Sequence, residues 1–478
     1  MPINSESCPL CKVHSNTIKK EDEDEEDNKT SWIQCSKCKV WYHVHCLDLP
    51  TDEIDQIVIY HCPECVPKYG ESTYKRKSKR ARVSIDYQSL NEGDTFAIDK
   101  SSHFHLHNFL NFKAETNINV IDKLTKTYAL NTQMEKPILI PQADLSKNGM
   151  QLPIDKNEIT IDYITNCCGE DTPLEVMDVI SQQGISPPWK LKQWREYFKT
   201  NEEKRDRIRN VISLEISDVA KLGVDFTRPK CVRDMDVVDR VWIEEDEQKR
   251  SKVTKYCLMS VKNSFTDFHI DFGGTSVYYT VLSGAKTFLF FPPTDNNLEL
   301  YKSWCLEPSQ NFIWYPEYTI TKNKKKIKPT GGFKVDLQPG DLFIIPSGWI
   351  HAVHTPQDSI VIGGNYLTIR DMVMQLKINE IERETKVPTK FRFPMFNKVL
   401  WLTAWYYYNH QNEFQSDIGE DEDGNAILTR LIGHLQGHLE LSKTNATAKR
   451  SIPKAIGKPM VFINKLLAWK EDLYGTAV

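Results

Sequence analysis

Apolar residues in the middle of the chain fall into short runs that read as β-strands. NVISLEI, KYCLMSV, VYYTVLSG, KTFLFFPP, DLFIIPSGW and SIVIGGNYL follow one another between about 206 and 375, punctuated by Gly, Pro and Asn. Short β-branched and aromatic runs with such punctuation are typical of antiparallel all-β architectures. The pattern predicts a jelly-roll or another closed β structure for this segment.

Helical periodicity lies on both sides of that segment. From about 96 to 205 the chain is mixed but mostly helical by pattern, and PPWKLKQWREYF reads as an amphipathic helix opened by prolines. Beyond 375, MVMQLKINEIE and NKVLWLTAWYYYNH read as helices, followed by an acidic loop and a helical tail. We therefore expect a helical N-terminal part at 96–205, a β domain at 206–375 and a C-terminal helical region at 376–478.

Composition narrows the class of protein. The chain has 478 residues, 40% of them hydrophobic, with 61 Lys and Arg against 65 Asp and Glu and a net charge of −4. This length predicts about two to three domains, and the near-neutral charge excludes a uniformly basic nucleic-acid coat. No apolar run approaches the roughly 20 residues of a membrane helix, and the N-terminus lacks the layout of a secretory signal. We expect an intracellular protein without a membrane span.

Cysteines are concentrated near the N-terminus, where Cys-x2-Cys pairs recur. Such pairs in an intracellular protein indicate metal binding rather than disulfides. His45 adjoins Cys46, and two neighbours seldom reach one ion, so we favour His43 as the histidine ligand. The resulting eight ligands suffice for two tetrahedral Zn²⁺ ions: Cys8, Cys11, Cys35, Cys38, His43, Cys46, Cys62 and Cys65.

This order of four cysteines, one histidine and three cysteines resembles the PHD finger, which would occupy 1–66. The resemblance implies interleaved binding, with one zinc held by Cys8, Cys11, His43 and Cys46 and the other by Cys35, Cys38, Cys62 and Cys65. It also implies a reader of the histone H3 tail, which adds the tail as a strand and cages a methylated lysine in aromatic rings. Trp32 and Trp41 match the cage positions, although the position of Trp41 is also a core position in PHD fingers that read nothing.

Three runs of charge lie outside any predicted core. The acidic run at 21–27 must be a solvated loop. KRKSKRAR at 75–82, within a linker at 67–95, reads as a nuclear-import or phosphate-contact segment, or as a solvated linker. The loop TKNKKKIKP favours either a contact with nucleosomal DNA or simple solvation; its lysines are Lys322, Lys324, Lys325, Lys326 and Lys328.

His269 and Asp271 lie two residues apart on a predicted strand, so their side chains point to one face. A second histidine on a later strand would complete a 2-His-1-carboxylate triad, which binds Fe²⁺ and leaves three coordination positions open. GDLFIIPSGWIHAVHTP offers both His351 and His354. Their odd offset places them on opposite faces, so spacing alone leaves the choice between them open.

Together these motifs resemble the JmjC family of iron(II) and 2-oxoglutarate dependent oxygenases over about 205–375. The family carries its second histidine in a G-W-x-H context, which implies His351 in GWIH. The resemblance also implies that Thr266, three before the first histidine, and Lys286, on the next strand, hold the remote carboxylate of 2-oxoglutarate. Three further residues either line the family's cavity or make hydrogen bonds in the core: Asn210, Tyr279 and Asn365.

Longer segments narrow the resemblance. EVMDVISQ, TDFHIDFGGTSVYY, PSGWIHAV and VPTKFRFP resemble the JmjC demethylases described as acting on histone H3 lysine-36, and a finger ahead of the JmjC domain resembles the fungal member. The fold class implied is mixed α+β: a zinc-bound PHD finger followed by a JmjC double-stranded β-helix with flanking and C-terminal helices.

The function implied by this resemblance is oxidative demethylation in the nucleus. Iron(II), 2-oxoglutarate and oxygen would serve to remove mono- or dimethyl groups from lysine-36 of histone H3 on nucleosomes. Two alternatives stay open at this stage, namely a JmjC protein hydroxylase that stops at a stable alcohol, and a catalytically inert chromatin adaptor.

Three histidines and two cysteines elsewhere in the sequence are weaker candidates for metal binding. His103, His105 and His107 alternate in SSHFHLHNFL with no cysteine or carboxylate nearby in the sequence, which predicts a solvated polar face. The adjacent Cys167 and Cys168 lack Cys-x2-Cys spacing, so we expect them to be structural.

Overall fold

The computed structural model describes residues 8–11, 32–47, 57–74, 102–132, 134–242, 250–419 and 423–475. The acidic run at 21–27 and the basic segment at 75–82 lie outside these residues. The chain divides into two compact units, Met1–Asp94 and Thr95–Val478. No helix within the described ranges is long and apolar enough to cross a membrane.

The first unit is built from very short elements. Strands β1 (Trp32–Gln34) and β2 (Trp41–His43) pair antiparallel, as do β3 (Ile57–Ile59) and β4 (Thr73–Tyr74), and α1 spans Val66–Tyr69. Its buried cluster consists mainly of cysteines, with Tyr42 and Tyr60. So few apolar side chains give little burial energy, and bound metal is the usual source of stability in a unit of this kind.

The second unit is organised by a sheet of 11 strands. The strands of this unit are β5 (Asn119–Val120), β6 (Ile138–Ile140), β7 (Pro173–Leu174), β8 (Met177–Asp178), β9 (Gln183–Gly184), β10 (Trp189–Lys190), β11 (Arg209–Glu215), β12 (Tyr256–Ser260), β13 (Phe265–His269), β14 (Ser276–Phe291), β15 (Ile320–Lys322), β16 (Lys325–Ile327), β17 (Phe333–Leu337), β18 (Leu342–Ile345) and β19 (Ile350–Tyr366). The order of strands in the sheet is β5-β6-β18-β14-β19-β12-β11-β8-β9, with β13 added on β19 and β17 on β14.

Two long strands, β14 and β19, pair antiparallel along their whole lengths and form the spine of the sheet. The sequence suggested two separate runs, VYYTVLSG and KTFLFFPP, where the structure has one 16-residue strand, β14. Register shifts between Val281 and Thr287 bend the pair where the two runs join. Gly284 makes this possible: its φ is +72°, and a Cβ there would lie 2.1 Å from the carbonyl oxygen of Asp358.

Both faces of β14 are buried, which explains why its sequence does not alternate between apolar and polar residues. Tyr279, Phe288 and Phe290 pack inside the β-helix against β17 and β18, while Tyr278 and Leu289 face an outer core shared with the flanking helices. The expected jelly-roll with flanking helices and the mixed α+β fold class are confirmed.

Helices surround the sheet and fill the C-terminal region. Those of the second unit are α2 (His105–Asn111), α3 (Lys126–Asn131), α4 (Ile161–Cys168), α5 (Leu191–Lys199), α6 (Lys230–Met235), α7 (Val237–Val241), α8 (Asp295–Cys305), α9 (Met372–Glu384), α10 (Phe396–Asn409), α11 (Gln411–Ile418), α12 (Gly424–Ser442), α13 (Ala446–Arg450) and α14 (Pro459–Tyr474). The segment 96–205 is less helical than its pattern suggests, because β6 and β8 within it join the main sheet.

The C-terminal helices form a second apolar core with α7. Trp401, Leu431 and Trp469 are buried in this core beside Val238 of α7. Helix α9 also contacts the turn that follows β13, where a Cβ on Gly274 would lie 3.0 Å from the Cα of Gln375. The lack of a side chain at Gly274 therefore lets helix α9 pack closely against this turn.

We expect Gly284→Ala to lower the free energy of unfolding by more than about 1 kcal/mol, because φ is positive and the added Cβ meets backbone. Gly437→Ala is the matched control, since Gly437 lies within α12 and a Cβ there meets nothing within 4 Å. That control should stabilise the chain by roughly 0.5–1 kcal/mol. Urea unfolding of both full-length variants measures the difference, and equal stability would contradict this account of the bend.

Candidate metal centres

Three potential metal ligands meet where the end of β13 pairs with the start of β19. His269 ends β13, Asp271 follows it by two residues, and His351 lies at the start of β19, directly opposite His269 in the antiparallel register. One ligand atom from each lies within 4.8 Å of the others. Nε2 of His351 is 3.9 Å from Oδ2 of Asp271, and the two imidazole rings are 4.3 Å apart between centroids. This is the donor set of a 2-His-1-carboxylate site.

Backbone carbonyls orient both imidazoles. Nδ1 of His269 lies 2.8 Å from the carbonyl oxygen of Asp267, and Nδ1 of His351 lies 3.1 Å from that of Trp349. Because a carbonyl oxygen can only accept, each Nδ1 carries the proton and donates it. Nε2 of each ring is then unprotonated in the neutral form, which is the state that binds a metal.

Burial shifts the pKa values of two residues of the triad. It raises the pKa of Asp271 to about 6 and lowers the pKa of His351 well below its ordinary value. Without a cation the charged form of the carboxylate is therefore disfavoured, while the imidazole is kept neutral. A divalent ion would reverse the effect on Asp271, because its positive charge stabilises the carboxylate.

His354 lies apart from this cluster. It pairs with Phe265 of β13, it is buried, and its ring contacts Phe109 edge-on with centroids 5.9 Å apart. The offset of three residues along β19 directs it away from the face that carries His351. Burial lowers the pKa of His354 to about 4, so it is a neutral core histidine.

A buried lysine lies on β14, the strand that pairs with β19, and its side chain points into the β-helix. Lys286 is 3% exposed, and its Nζ donates to Oγ of Ser260 at 2.6 Å and to Oγ1 of Thr355 at 2.8 Å. Among the described residues it has no carboxylate partner. Burial lowers the pKa of Lys286 to about 7. An ammonium in this environment favours an anionic ligand, because the interior offers it hydroxyl groups but no counter-charge.

Lys286 and the metal cluster share one interior face. Lys286, Phe288 and Phe290 alternate along β14, and the two phenylalanine rings lie 5.9 and 5.4 Å from the ring of His351. On β19, His351 and Thr355 are four residues apart and therefore also point to one side. Ser260 and Thr355 were not singled out in the sequence, although a polar residue within apolar runs such as CLMSV is a usable signal.

The remaining predicted cavity residues lie around this face. Nδ2 of Asn210 is 3.4 Å from Oγ1 of Thr266, while Oδ1 of Asn210 is buried without a partner. Tyr279 packs edge-on against Phe288, and burial raises its pKa above the ordinary value. Asn365 donates to Oγ1 of Thr275 at 2.8 Å. Its side chain also opposes the effect of burial on Asp271, because it lowers the pKa of that carboxyl.

Two further clusters lie in the first unit. Cys8, Cys11, His43 and Cys46 form one, and Cys35, Cys38, Cys62 and Cys65 form the other, with one ligand atom per residue and all atoms within 4.8 Å in each. The structure thus brings together the eight predicted ligands in the interleaved arrangement that the resemblance implies. The side chain of His45 lies outside the described part of the chain. Four thiolate or imidazole donors per cluster suit tetrahedral Zn²⁺.

The two tryptophans of this unit differ in their surroundings. Trp32 is opposite His43 across β1 and β2, and its ring lies 3.8 Å from the ring of that zinc-ligand candidate. Trp41 is 39% exposed. Trp32 therefore packs against the cluster, whereas Trp41 leaves an aromatic face available to solvent.

The expectation for His103 and His105 was wrong. Both side chains are buried, and they lie beside the carboxylate of Asp267, which is distant in sequence. Burial lowers the pKa of His103 to about 4. His107 on the next turn is exposed, as a solvated face requires. The sequence could not show this, because the carboxylate comes from a strand more than 150 residues away.

The lysine-rich loop forms the hairpin of β15 and β16. Lys324, Lys325 and Lys326 are exposed, and Nζ of Lys322 pairs with Glu299 at 2.5 Å. Cys167 and Cys168 end helix α4 half-buried against the main core, and neither belongs to a metal cluster of the described residues.

Comparisons with known proteins identify the family. Family models match as a PHD-finger over residues 8–65, a cupin-like domain over 68–371 and a Jumonji helical domain over 370–462. The "JmjC domain-containing histone demethylation protein 1" of Candida albicans is 99% identical over 478 residues, covering 100% of both chains. Proteins of the same name are 50% identical in Debaryomyces hansenii, covering 98% of this chain and 99% of the relative, and 35% identical in Saccharomyces cerevisiae, covering 89% and 95%.

The chain belongs to the JmjC domain-containing histone demethylation proteins. The predicted family, a fungal PHD finger combined with a JmjC domain, is thereby confirmed. The metal cluster and the buried lysine both lie within the cupin-like match, and the two cysteine clusters lie within the PHD match.

Replacing Lys286 by methionine should raise the stability of the ligand-free chain by more than about 1 kcal/mol at pH 6.5. The lysine pKa is lower in the folded state than in the unfolded chain, so folding releases its proton or buries its charge. This cost is full below pH 7 and declines as the pH rises toward the ordinary pKa of lysine.

Urea unfolding of the full chain at pH 6.5 and pH 9 measures this dependence. Lys324→Met, at an exposed lysine of the hairpin, is the control and should change stability little at either pH. A Lys286→Met variant less stable than the parent at pH 6.5 would contradict the uncompensated burial of this lysine.

Proposed function

We propose that the chain is an iron(II) and 2-oxoglutarate dependent histone lysine demethylase that removes mono- and dimethyl groups from lysine-36 of histone H3. The observation that carries the proposal is the convergence of His269, Asp271 and His351 beside a buried lysine without a carboxylate partner. The catalytic domain would span 206–375, flanked by 96–205 and 376–478.

The triad residues fit Fe²⁺. Two neutral imidazoles with Nε2 free and one carboxylate are the donors that a non-haem iron(II) site uses, and the three protein ligands leave positions for other molecules. When bound, iron with 2-oxoglutarate and oxygen supplies the oxidation that converts an N-methyl group to a hemiaminal, with release of succinate and carbon dioxide. The hemiaminal then loses formaldehyde.

The chain's own residues would position the co-substrate. Lys286 would pair with the remote carboxylate of 2-oxoglutarate, and Thr266 would donate a hydrogen bond to it. Pairing with an anion supplies the counter-charge that the interior lacks, so binding should keep the lysine protonated. Asn210, next to Thr266, has a buried oxygen free to accept. The aromatic rings of Phe288 and Phe290 would exclude water between lysine and triad.

The choice of lysine-36 rests on the resemblance of several segments to that class of demethylases. Hydrogen abstraction from an N-methyl group needs no lone pair on nitrogen, so the triad sets no limit on methylation state. Discrimination would come from the shape of the pocket. Tyr279 and Asn365 are the residues we assign to it, since Asn365 influences the pKa of the candidate metal ligand Asp271.

The first unit would act as a zinc-dependent reader. Two Zn²⁺ ions would be held by the eight ligands, and the histone H3 tail would bind with a methylated lysine between Trp32 and Trp41. The exposed lysines of the β15–β16 hairpin, and the basic segment at 75–82, would contact DNA phosphates of the nucleosome. With these partners the protein would act in the nucleus.

The proposal is tested by incubating the full chain with iron(II), 2-oxoglutarate, oxygen and a panel of singly methylated histone peptides. We expect mass spectrometry to show methyl loss from lysine-36 peptides with release of formaldehyde. His351→Ala should abolish turnover, whereas His354→Ala, on the opposite face of β19, should retain it.

The other possible outcomes of this experiment would favour a different substrate or one of the two alternative functions. Methyl loss at another lysine would reject the substrate, and a stable hydroxylated product without formaldehyde would favour a hydroxylase. No reaction on any peptide, together with intact binding to histones, would favour an inert adaptor.

For the finger, we expect Trp41→Ala to weaken binding of a methylated H3 tail peptide by about 2- to 30-fold, the range of a cation–π contact of about 0.5–2 kcal/mol. Calorimetry on the full chain measures this change. Val58→Ala is the matched control, because Val58 is an exposed apolar residue of the same unit. Equal affinity of the unaltered chain for methylated and unmodified peptides would reduce the finger to a structural element.

A further inference from the structure

A second cluster of two histidines and one carboxylate lies outside the iron triad. His105 begins helix α2, His103 precedes it by two residues, and Asp267 comes from the middle of β13. They are 1%, 2% and 8% exposed, and one ligand atom of each lies within 4.8 Å of the others. Neither the proposed function nor the family comparison assigns these residues a role.

The hydrogen bonds of His103 leave one nitrogen unaccounted for. The backbone N–H of His105 donates to Nδ1 of His103 at 3.2 Å, so Nδ1 accepts and the proton of the neutral ring lies on Nε2. Nε2 of His103 is buried and has no acceptor among the described residues. A buried N–H without a partner costs about 1–3 kcal/mol. A metal ion at Nε2 would replace that proton and remove the cost.

The other two residues fit the same interpretation. Nδ1 of His105 is 3.1 Å from Oδ2 of Asp267, a separation found both in hydrogen bonds and between two ligands of one ion, and Nε2 of His105 is buried without a partner. Asp267 has no lysine or arginine partner among the described residues, so its buried carboxylate lacks a fixed positive charge.

Aromatic rings enclose the cluster. Phe265 stacks on His103 at 4.9 Å between centroids, and Trp314 meets His105 edge-on at 5.4 Å. Oδ1 of Asp267 accepts the backbone N–H of Phe268 at 2.9 Å, so Oδ2 is the carboxylate oxygen that faces the imidazoles inside this aromatic wall. A buried site of nitrogen and carboxylate donors suits a divalent transition-metal ion.

We propose that His103, His105 and Asp267 bind a second divalent transition-metal ion in the catalytic unit, and that this ion is Zn²⁺. Two imidazoles favour a transition metal over Mg²⁺ or Ca²⁺, and zinc accepts mixed nitrogen and oxygen donors in tetrahedral sites. Three protein ligands leave one tetrahedral position for a solvent molecule.

The ion would act on the iron triad through the backbone. The carbonyl oxygen of Asp267 accepts the Nδ1 proton of His269 at 2.8 Å. Zinc bound to the side chain of Asp267 would therefore fix helix α2 to the strand that orients an iron ligand. This is a positioning role, because none of the three residues contacts the triad's ligand atoms.

Elemental analysis of the full chain tests the site. His351→Ala serves as the background, so that zinc cannot be held by a complete triad. Adding His105→Gln or His103→Gln should lower the zinc content by one ion per chain after dialysis. His107→Gln is the matched control, because His107 lies on the same helix but is exposed. Equal zinc content in all these chains would overturn the proposal, whatever the content of the finger.

A second measurement does not depend on the variants folding. Crystals of the unaltered full chain, grown with Zn²⁺ alone as added metal, can be measured at the zinc absorption edge. We expect an anomalous peak between the three side chains. No peak there, in crystals whose finger sites show zinc, would overturn the proposal. Demethylase activity enters neither readout, so its absence would leave this result unaffected.

Discussion

The antiparallel register of β13 on β19 is the constraint on which the candidate oxygenase site depends. It sets His269 directly opposite His351, and the ligand Asp271 follows at the end of the same strand. A slip of one residue would turn His351 to the outer face and bring His354 inward, leaving two ligands in place of three. The long pairing of β14 with β19 fixes this register, because a one-residue slip would exchange the β14 residues that pack inside the β-helix with those that pack in the outer core.

Stability and binding conflict at Lys286. The residue lies in an interior of phenylalanine and valine side chains, with two hydroxyl groups but no carboxylate among its described neighbours. A chain selected for stability alone would place an apolar residue there. Under the proposed function a bound anion would carry the negative charge that Lys286 lacks, and a metal ion would carry the positive charge that Asp271 lacks.

Much of this organisation could be predicted from sequence, and the limits have physical causes. The zinc ligands and the H-x-D pair are local patterns, so spacing alone reveals them. The choice of His351 over His354 needed the family context, since parity along a strand excludes one histidine without saying which. His103 and His105 were misjudged because burial and a partner from β13 are properties of the tertiary fold. The continuity of β14 was missed because Gly284 reads as a turn signal, whereas here it permits a bend within one strand.

The turn after Asp271 also shows where the chain cannot be divided without disturbing the triad. The cupin-like match ends at residue 371 and the helical match begins at 370, yet α9 reaches back across that line. Oε1 of Glu382 accepts the backbone N–H of Gly273 at 2.7 Å, two residues after the candidate ligand Asp271. A fragment that stops at the boundary of the cupin-like match would leave this N–H without its acceptor and Gly274 without its covering helix. The two segments are therefore separate as sequence families but a single mechanical unit, and the shortest piece able to hold the triad in shape must include α9.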